Sequence, residues 1–137
     1  MQISARISNT GSDHSVSVST AGADKRLAVP PKAGGPGSAV NGGEFLMLAL
    51  ATCYCNDIYR EAARLGLQVD GVEVEATADF DGIGLAASNI VYRARVASPA
   101  AEAEIAQLLK ETDAVAEIHN TVRKGVPVQR VPWPRPS

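Results

Sequence analysis

The chain has 137 residues, 45% of them hydrophobic and 4% aromatic, and its 13 basic and 15 acidic residues give a net charge of −2. This length predicts a single domain over residues 1–137, and the near-even charge provides no basic surface for a phosphate backbone. We therefore expect no nucleic-acid partner. The longest apolar stretch, residues 45–51, is far shorter than the roughly 20 residues that a membrane span needs, so we expect no membrane partner either.

The N-terminal segment predicts the compartment, and the numbers of cysteines and histidines predict the metal content. The first ten residues contain no apolar run of the signal-peptide kind, so we expect a cytoplasmic protein. A structural zinc site needs about four ligands, whereas the chain has two cysteines and two histidines that do not form such a pattern. We expect neither a metal nor a cofactor.

The first predicted element is an N-terminal hairpin over residues 1–20. Apolar and polar residues alternate in two segments, and residues 9–13 between them have turn-like composition. Residues 21–40 are rich in glycine and proline, which is incompatible with a helix or a central strand. We predict a loop there, and a loop of this length is typical of a functional segment.

A long central helix is predicted over residues 41–66. Asn41 is a favourable N-cap, Glu44 three residues later completes a capping box, and Gly66 is a natural terminator. The segment 45–51 is apolar on every side, which predicts that the first half of the helix is buried all round.

The remaining elements are two strands, two helices and a final strand. Alternation in residues 72–80 and 90–96 predicts an antiparallel pair with one solvated face. Helices are expected at about 99–110 and 112–125, a short strand at 126–131, and an exposed tail at 132–137. The order ββ–α–ββ–αα–β places strands and helices in separate runs, which predicts the α+β class.

The two thiols are the first candidates for chemistry. Cys53 and Cys55 point roughly 200° apart on a helix, so they cannot form a disulfide without unwinding it. Either both cysteines are small buried hydrophobic residues, or one of them is a reactive thiol. Asp57, four residues after Cys53, would disfavour a thiolate. A reactive Cys53 would therefore need a base or a cation from elsewhere in this chain or from another subunit, with these candidates: Arg6, Arg26, His119, Arg123 and Lys124.

His119 has two interpretations of its own. It falls on the apolar stripe of the last predicted helix, where it could act as a general base for a cysteine. The alternative is a histidine at the edge of the core with one satisfied hydrogen bond.

Three stretches resemble the OsmC/Ohr superfamily of osmotically inducible proteins and organic hydroperoxide resistance proteins. They are residues 44–53, which end in Cys53, residues 62–67 with the following strand at 72–75, and residues 123–128 after the last helix. The resemblance covers most of residues 38–130 and depends on order and spacing together. It implies a swapped homodimer in which antiparallel sheets enclose long central helices.

The resemblance also implies an activity, the thiol-dependent reduction of organic hydroperoxides in oxidative stress defence. Family members use a reactive cysteine and a second cysteine that resolves its sulfenic acid, and external dithiols recycle them. Cys53 falls on the reactive position and Ala116 on that of the second cysteine. Glu44 is one residue past the position of a family glutamate, Arg26 is the candidate for the activating arginine in the long loop, and Cys55 is an extra thiol.

Because Ala116 interrupts the two-cysteine cycle, three hypotheses stay open. The first is a one-cysteine peroxidase that acts on a small apolar hydroperoxide and is recycled by an external thiol. The second is a non-catalytic dimer that binds a small ligand, and the third is a redox sensor.

Overall fold

The computed structural model describes residues 1–11 and 13–137, which form two compact units, residues 1–46 and 47–137. The elements are β1 (Ile3–Thr10), β2 (Asp13–Thr20), β3 (Ala23–Leu27), α1 (Gly42–Leu65), β4 (Gly71–Asp79), β5 (Ser88–Ala97), α2 (Glu102–Val115) and α3 (Glu117–Lys124). The runs of strands and helices confirm the predicted α+β class. The prediction of one domain over the whole chain stays a prediction.

The first unit contains an antiparallel sheet in the order β1-β2-β3. The β1–β2 pair, from Ile3 opposite Thr20 to Thr10 opposite Asp13, confirms the predicted hairpin; Ser12 of the predicted turn lies outside the described residues. The prediction of a loop over residues 21–40 is wrong for β3, which pairs with β2. All five residues of β3 are exposed. Charged side chains are typical both of edge strands and of loops, so the sequence alone does not distinguish β3 from a loop.

Helix α1 has the predicted bounds because its ends are encoded locally. The Asn41 amide donates to Glu44 Oε1 at 3.0 Å and the Glu44 amide donates to Asn41 Oδ1 at 2.8 Å, which completes the predicted capping box. Gly66, directly after the helix, has φ of 69°, a conformation that favours glycine.

The burial of α1 differs from the prediction. Its buried residues lie on one face and are Leu50, Tyr54, Asp57, Ile58, Glu61 and Ala62. Leu48 is 57% exposed, so the prediction that the first half is buried all round is wrong for a single chain. The physical reason is that the elements of one chain cover only one stripe of this helix.

The core of the second unit is formed by α1, α2 and the inner face of the β4–β5 pair. Glu73 and Glu75 on β4 form ion pairs with Arg95 and Arg93 on β5, on the exposed face. The pair therefore has the predicted solvated face. The buried cluster contains Tyr54, Ile58, Ala62, Leu108 and Ala116, and side chains of both strands pack against it.

Helices α2 and α3 are separated at Ala116, which has an extended conformation (φ −72°, ψ 104°) and is fully buried. The predicted helix boundary near residue 111 is wrong, since hydrophobic spacing alone does not mark this break. The predicted strand at 126–131 is also absent from the described chain; Pro127 lacks the backbone donor that a paired strand requires. None of the helices in the described part of the chain has the length and hydropathy of a membrane-spanning segment.

Candidate functional site

The Cys53 thiol faces two carboxylates that come from different helices. Its Sγ donates to Asp57 Oδ2, one turn later on α1, at 3.6 Å and to Glu117 Oε2 at 3.8 Å. Glu117 is the first residue of α3, so the break at Ala116 determines where this carboxylate lies. Cys53 is half-buried and packs against the core cluster that contains Ala116.

The start of α3 also provides a hydrogen-bond donor to the sulfur. The backbone amide of Ile118, the second residue of α3, hydrogen-bonds to Cys53 and lowers the pKa of the thiol. The first amides of a helix have no partners within the helix and carry partial positive charge, so they stabilise a nearby anion. The helix N-terminus that faces Cys53 is therefore that of α3, and Cys53 itself lies in α1.

The net effect of the surroundings is nevertheless to raise the pKa of the Cys53 thiol. Burial is the largest cause, and the negative charges of Asp57 and Glu117 add to it, against the opposing effect of the Ile118 amide. Cys53 is therefore a protonated thiol at neutral pH in the single chain. Its sulfur is hydrogen-bonded and is not enclosed in aliphatic packing.

Arg60 provides the positive charge of this site. Its Nη1 lies 3.0 Å from Asp57 Oδ1 and 3.6 Å from Glu117 Oε1, so one guanidinium joins both carboxylates that contact the thiol. Burial raises the pKa of Asp57 and the Glu117 charge raises it further, whereas hydrogen bonding at the start of α3 lowers the pKa of Glu117. Asp57 is thus the better proton acceptor of the two.

The same three side chains are the one candidate grouping for a metal within the described residues. Ligand atoms of Cys53, Asp57 and Glu117 all lie within 4.8 Å of one another. Arg60 already pairs with both carboxylates and balances one of their two negative charges, so we assign these side chains to an ion-paired thiol site.

His119 and Arg123 belong to a second cluster. The His119 ring contacts the Tyr92 and Tyr54 rings, with centroids 4.4 and 5.6 Å away. Arg123 Nη2 lies 2.7 Å from Asp113 Oδ1, which also accepts a hydrogen bond from the Tyr92 hydroxyl. His119 has no hydrogen-bond partner within the described residues, so the interpretation as a core-edge histidine with one satisfied hydrogen bond is wrong for this chain.

The other predicted residues lie elsewhere. Glu44 is engaged in the α1 capping box, Arg26 is an exposed residue of β3 in the first unit, and Cys55 is a half-buried free thiol. The residues that sequence reasoning missed are Arg60 and Glu117. The sequence could have indicated Arg60, because it lies seven residues after Cys53 on the same face of the helix. The approach of Glu117 to Cys53 is decided by tertiary structure.

The chain matches the family described as OsmC-like protein over residues 35–130. A comparison with curated proteins gives no match. Among solved structures, the chain is similar to an OsmC-like protein of Mycoplasma pneumoniae, with 20% identity, a TM-score of 0.63, and coverage of 91% of this chain and 87% of that one.

Two further structures have a similar fold. One is an organic hydroperoxide resistance protein OsmC of Legionella pneumophila, described as a predicted redox protein and regulator of sulfide bond formation (17% identity, TM-score 0.60, 90% of each chain). The other is an OsmC-like protein of unknown function from Vibrio cholerae (13% identity, TM-score 0.62, 88% of this chain and 93% of that one). At these identities the likeness shows the fold.

Proposed function

Because the chain belongs to the family of OsmC-like proteins, we propose that it reduces organic hydroperoxides in oxidative stress defence, with Cys53 as the nucleophile. The observation that carries the proposal is the contact of the Cys53 sulfur with a helix N-terminus on one side and a buried carboxylate on the other. The name of the Legionella pneumophila structure, an organic hydroperoxide resistance protein, supports the same substrate class.

The proposed step oxidises the thiol and reduces the peroxide. The Cys53 sulfur attacks the outer peroxide oxygen, an S–O bond forms while the O–O bond breaks, and the products are the sulfenic acid and an alcohol. Asp57 takes the thiol proton and passes it to the departing alkoxide. Its Oδ2 lies 3.6 Å from the sulfur, and burial raises the pKa of its carboxyl toward the range useful for a base near neutral pH.

Recycling is proposed to use an external thiol because Ala116 occupies the position of the second family cysteine. The external thiol attacks the sulfenic sulfur, releases water and forms a mixed disulfide with Cys53. A second reductant thiol then attacks the external sulfur of that mixed disulfide, so that the Cys53 thiol is released and the two reductant sulfurs leave joined as a disulfide. The reducing cytoplasm, in which we place the protein, supplies such thiols.

Arg60 is the cation that we assign to this reaction. It contacts both carboxylates beside the sulfur, so it stabilises Asp57 as an anion that can accept the proton. Arg123 is already paired with Asp113, and a role for Arg26 or Glu44 stays a prediction from the resemblance.

A homodimer is part of the proposal. Leu48 on α1 is exposed, and so are Phe80, Ile83 and Leu85 in the connection between β4 and β5. Exposed apolar side chains in such number are typical of interaction surfaces, and a second copy would cover them. Size-exclusion chromatography with light scattering would contradict this part if the protein is a monomer at micromolar concentration.

The activity is tested by stopped-flow oxidation of the thiols with cumene hydroperoxide. The wild-type protein should react much faster than free cysteine, Cys53→Ser should abolish the fast phase, and the matched control Cys55→Ser should keep it. A wild-type rate no higher than that of free cysteine would reject the peroxidase.

The raised pKa of the Cys53 thiol favours a second candidate, a non-catalytic dimer that binds a small ligand. Native mass spectrometry of freshly purified protein separates the two functions. The ligand-binding function would be supported by two results together: a retained ligand that Cys53→Ser holds equally well, and a wild-type rate of peroxide reduction no higher than that of free cysteine. A redox sensor instead requires a Cys53 pKa below the usual value, measured by pH-dependent alkylation.

A further inference from the structure

A cavity of about 350 Å³ lies in the second unit between α1, β5 and α3. Leu50 of α1, Ile90 of β5 and Val122 of α3 contribute apolar lining. Polar groups come from Ser88, Asn89, Tyr92, His119 and Arg123. This volume is at the lower end of the range for small-molecule sites, which are mostly apolar with a few placed polar groups. Cys53 is not among the lining residues, so the cavity is separate from the thiol site.

The unusual feature of this cavity is the state of His119 in its wall. Its side chain is buried, with 3% relative exposure, and neither ring nitrogen has a hydrogen-bond partner within the described residues. The two neighbouring hydroxyls are already engaged, since Tyr54 donates to the Leu109 carbonyl and Tyr92 donates to Asp113. Buried polar groups are normally satisfied, so a partner from outside the chain is expected here.

The charges around the cavity favour an uncharged partner. Arg123 lines the cavity and forms an ion pair with Asp113. Burial, with the Arg123 charge, lowers the pKa of His119, which favours the neutral ring. An anion would have to share Arg123 with Asp113, a cation would be repelled by Arg123, and either charge would lose hydration in a mostly apolar cavity.

A hydroxyl group fits a neutral imidazole in either tautomer. The ring has one N–H donor and one acceptor nitrogen, and a hydroxyl can accept from the first or donate to the second. We propose that the cavity between α1, β5 and α3 binds a small uncharged molecule that has an apolar body and a hydroxyl group hydrogen-bonded to His119. Binding turns one ring nitrogen of His119 toward the cavity.

The experiment uses benzyl alcohol as the probe and follows the side-chain nitrogen signals of histidine by NMR. The chain has two histidines, and His14 in the first unit, with Nδ1 3.0 Å from Asn9 Nδ2, is an internal control. Benzyl alcohol should shift the His119 signals and leave those of His14 unchanged. Toluene, which lacks the hydroxyl, should bind about fivefold more weakly, as expected for one lost hydrogen bond. Benzoate should also bind more weakly, because its charge loses hydration in the cavity.

Two variants complete the test. His119→Phe keeps a ring of similar size, so it should bind benzyl alcohol no better than toluene, whereas His14→Phe should bind it like the wild type. Equal affinity of the wild type for benzyl alcohol and toluene, or unmoved His119 signals, would overturn the proposal; this comparison decides even if His119→Phe does not fold. Measuring in Cys53→Ser keeps the result independent of the peroxidase proposal.

Discussion

Asp57→Asn should change two reactions of Cys53 in opposite directions. The variant removes a negative charge 3.6 Å from the sulfur and leaves Arg60 paired with Glu117 and Glu61. With the dielectric constant of water, Coulomb's law gives about 1.15 kcal/mol at this distance. That energy corresponds to roughly sevenfold more thiolate at neutral pH, and a lower effective dielectric would increase it.

The assay combines alkylation and peroxide reduction in a Cys55→Ser background, so that only Cys53 reacts. Alkylation by iodoacetamide at pH 7 should be about sevenfold faster in Asp57→Asn, because it depends on the thiolate fraction. Reduction of cumene hydroperoxide should instead be slower by about a hundredfold or more, because the group that gives a proton to the departing alkoxide is missing.

The matched control is Asp70→Asn, an exposed aspartate whose carboxylate accepts a hydrogen bond from Gln68. It should leave both rates unchanged, and circular dichroism checks that each variant is folded. Alkylation that is unchanged or slower in Asp57→Asn would refute the electrostatic reasoning. An unchanged peroxide rate would show that Asp57 does not transfer the proton.

Three further predictions concern stability and redox cycling. Leu108→Ala removes a fully buried side chain and should lower the free energy of unfolding in urea by about 2–5 kcal/mol, whereas the exposed Val128→Ala should change it by less than about 0.5 kcal/mol. Ala116→Cys should form a disulfide with Cys53 after peroxide treatment, seen by mass spectrometry under non-reducing conditions; only unlinked thiols would contradict the assignment of Ala116. Since the folded state lowers the pKa of His119, its contribution to stability is present above about pH 6.5 and is lost as the pH falls toward the folded pKa. Urea unfolding at pH 5 and pH 8 should show this loss in the wild type and a smaller one in His119→Phe.

The fold was largely accessible from the sequence wherever the signal is local. The capping box at Asn41 and Glu44 and the terminator Gly66 gave the bounds of α1, and strict alternation gave the β4–β5 pair. The prediction failed at β3, where exposed charged residues form an edge strand, and at Ala116, where a helix ends without a glycine or proline. Both depend on contacts with a neighbouring element and leave no periodic pattern.

Only part of the candidate site could be predicted from the sequence. The resemblance implied Cys53 as the reactive thiol and Ala116 at the position of the second cysteine, and both stay predictions. The sequence also showed that Asp57, on the same helix face, opposes a thiolate. The structure places Arg60 beside the carboxylates and pairs Arg123 with Asp113. Arg60 was not among the candidate activators, which were Arg6, Arg26, His119, Arg123 and Lys124.

The sequence by itself determined which segments are helices and strands, that one helix carries both thiols, and that these thiols point apart. Each of these depends on residues within one or two turns of each other. Tertiary structure alone decided that Glu117 and the Ile118 amide reach Cys53, and that His119 is buried with no hydrogen-bond partner among the residues that the structure describes. The physical reason is that chain segments more than 60 residues apart meet through packing of the whole core, and short-range patterns do not encode such a meeting.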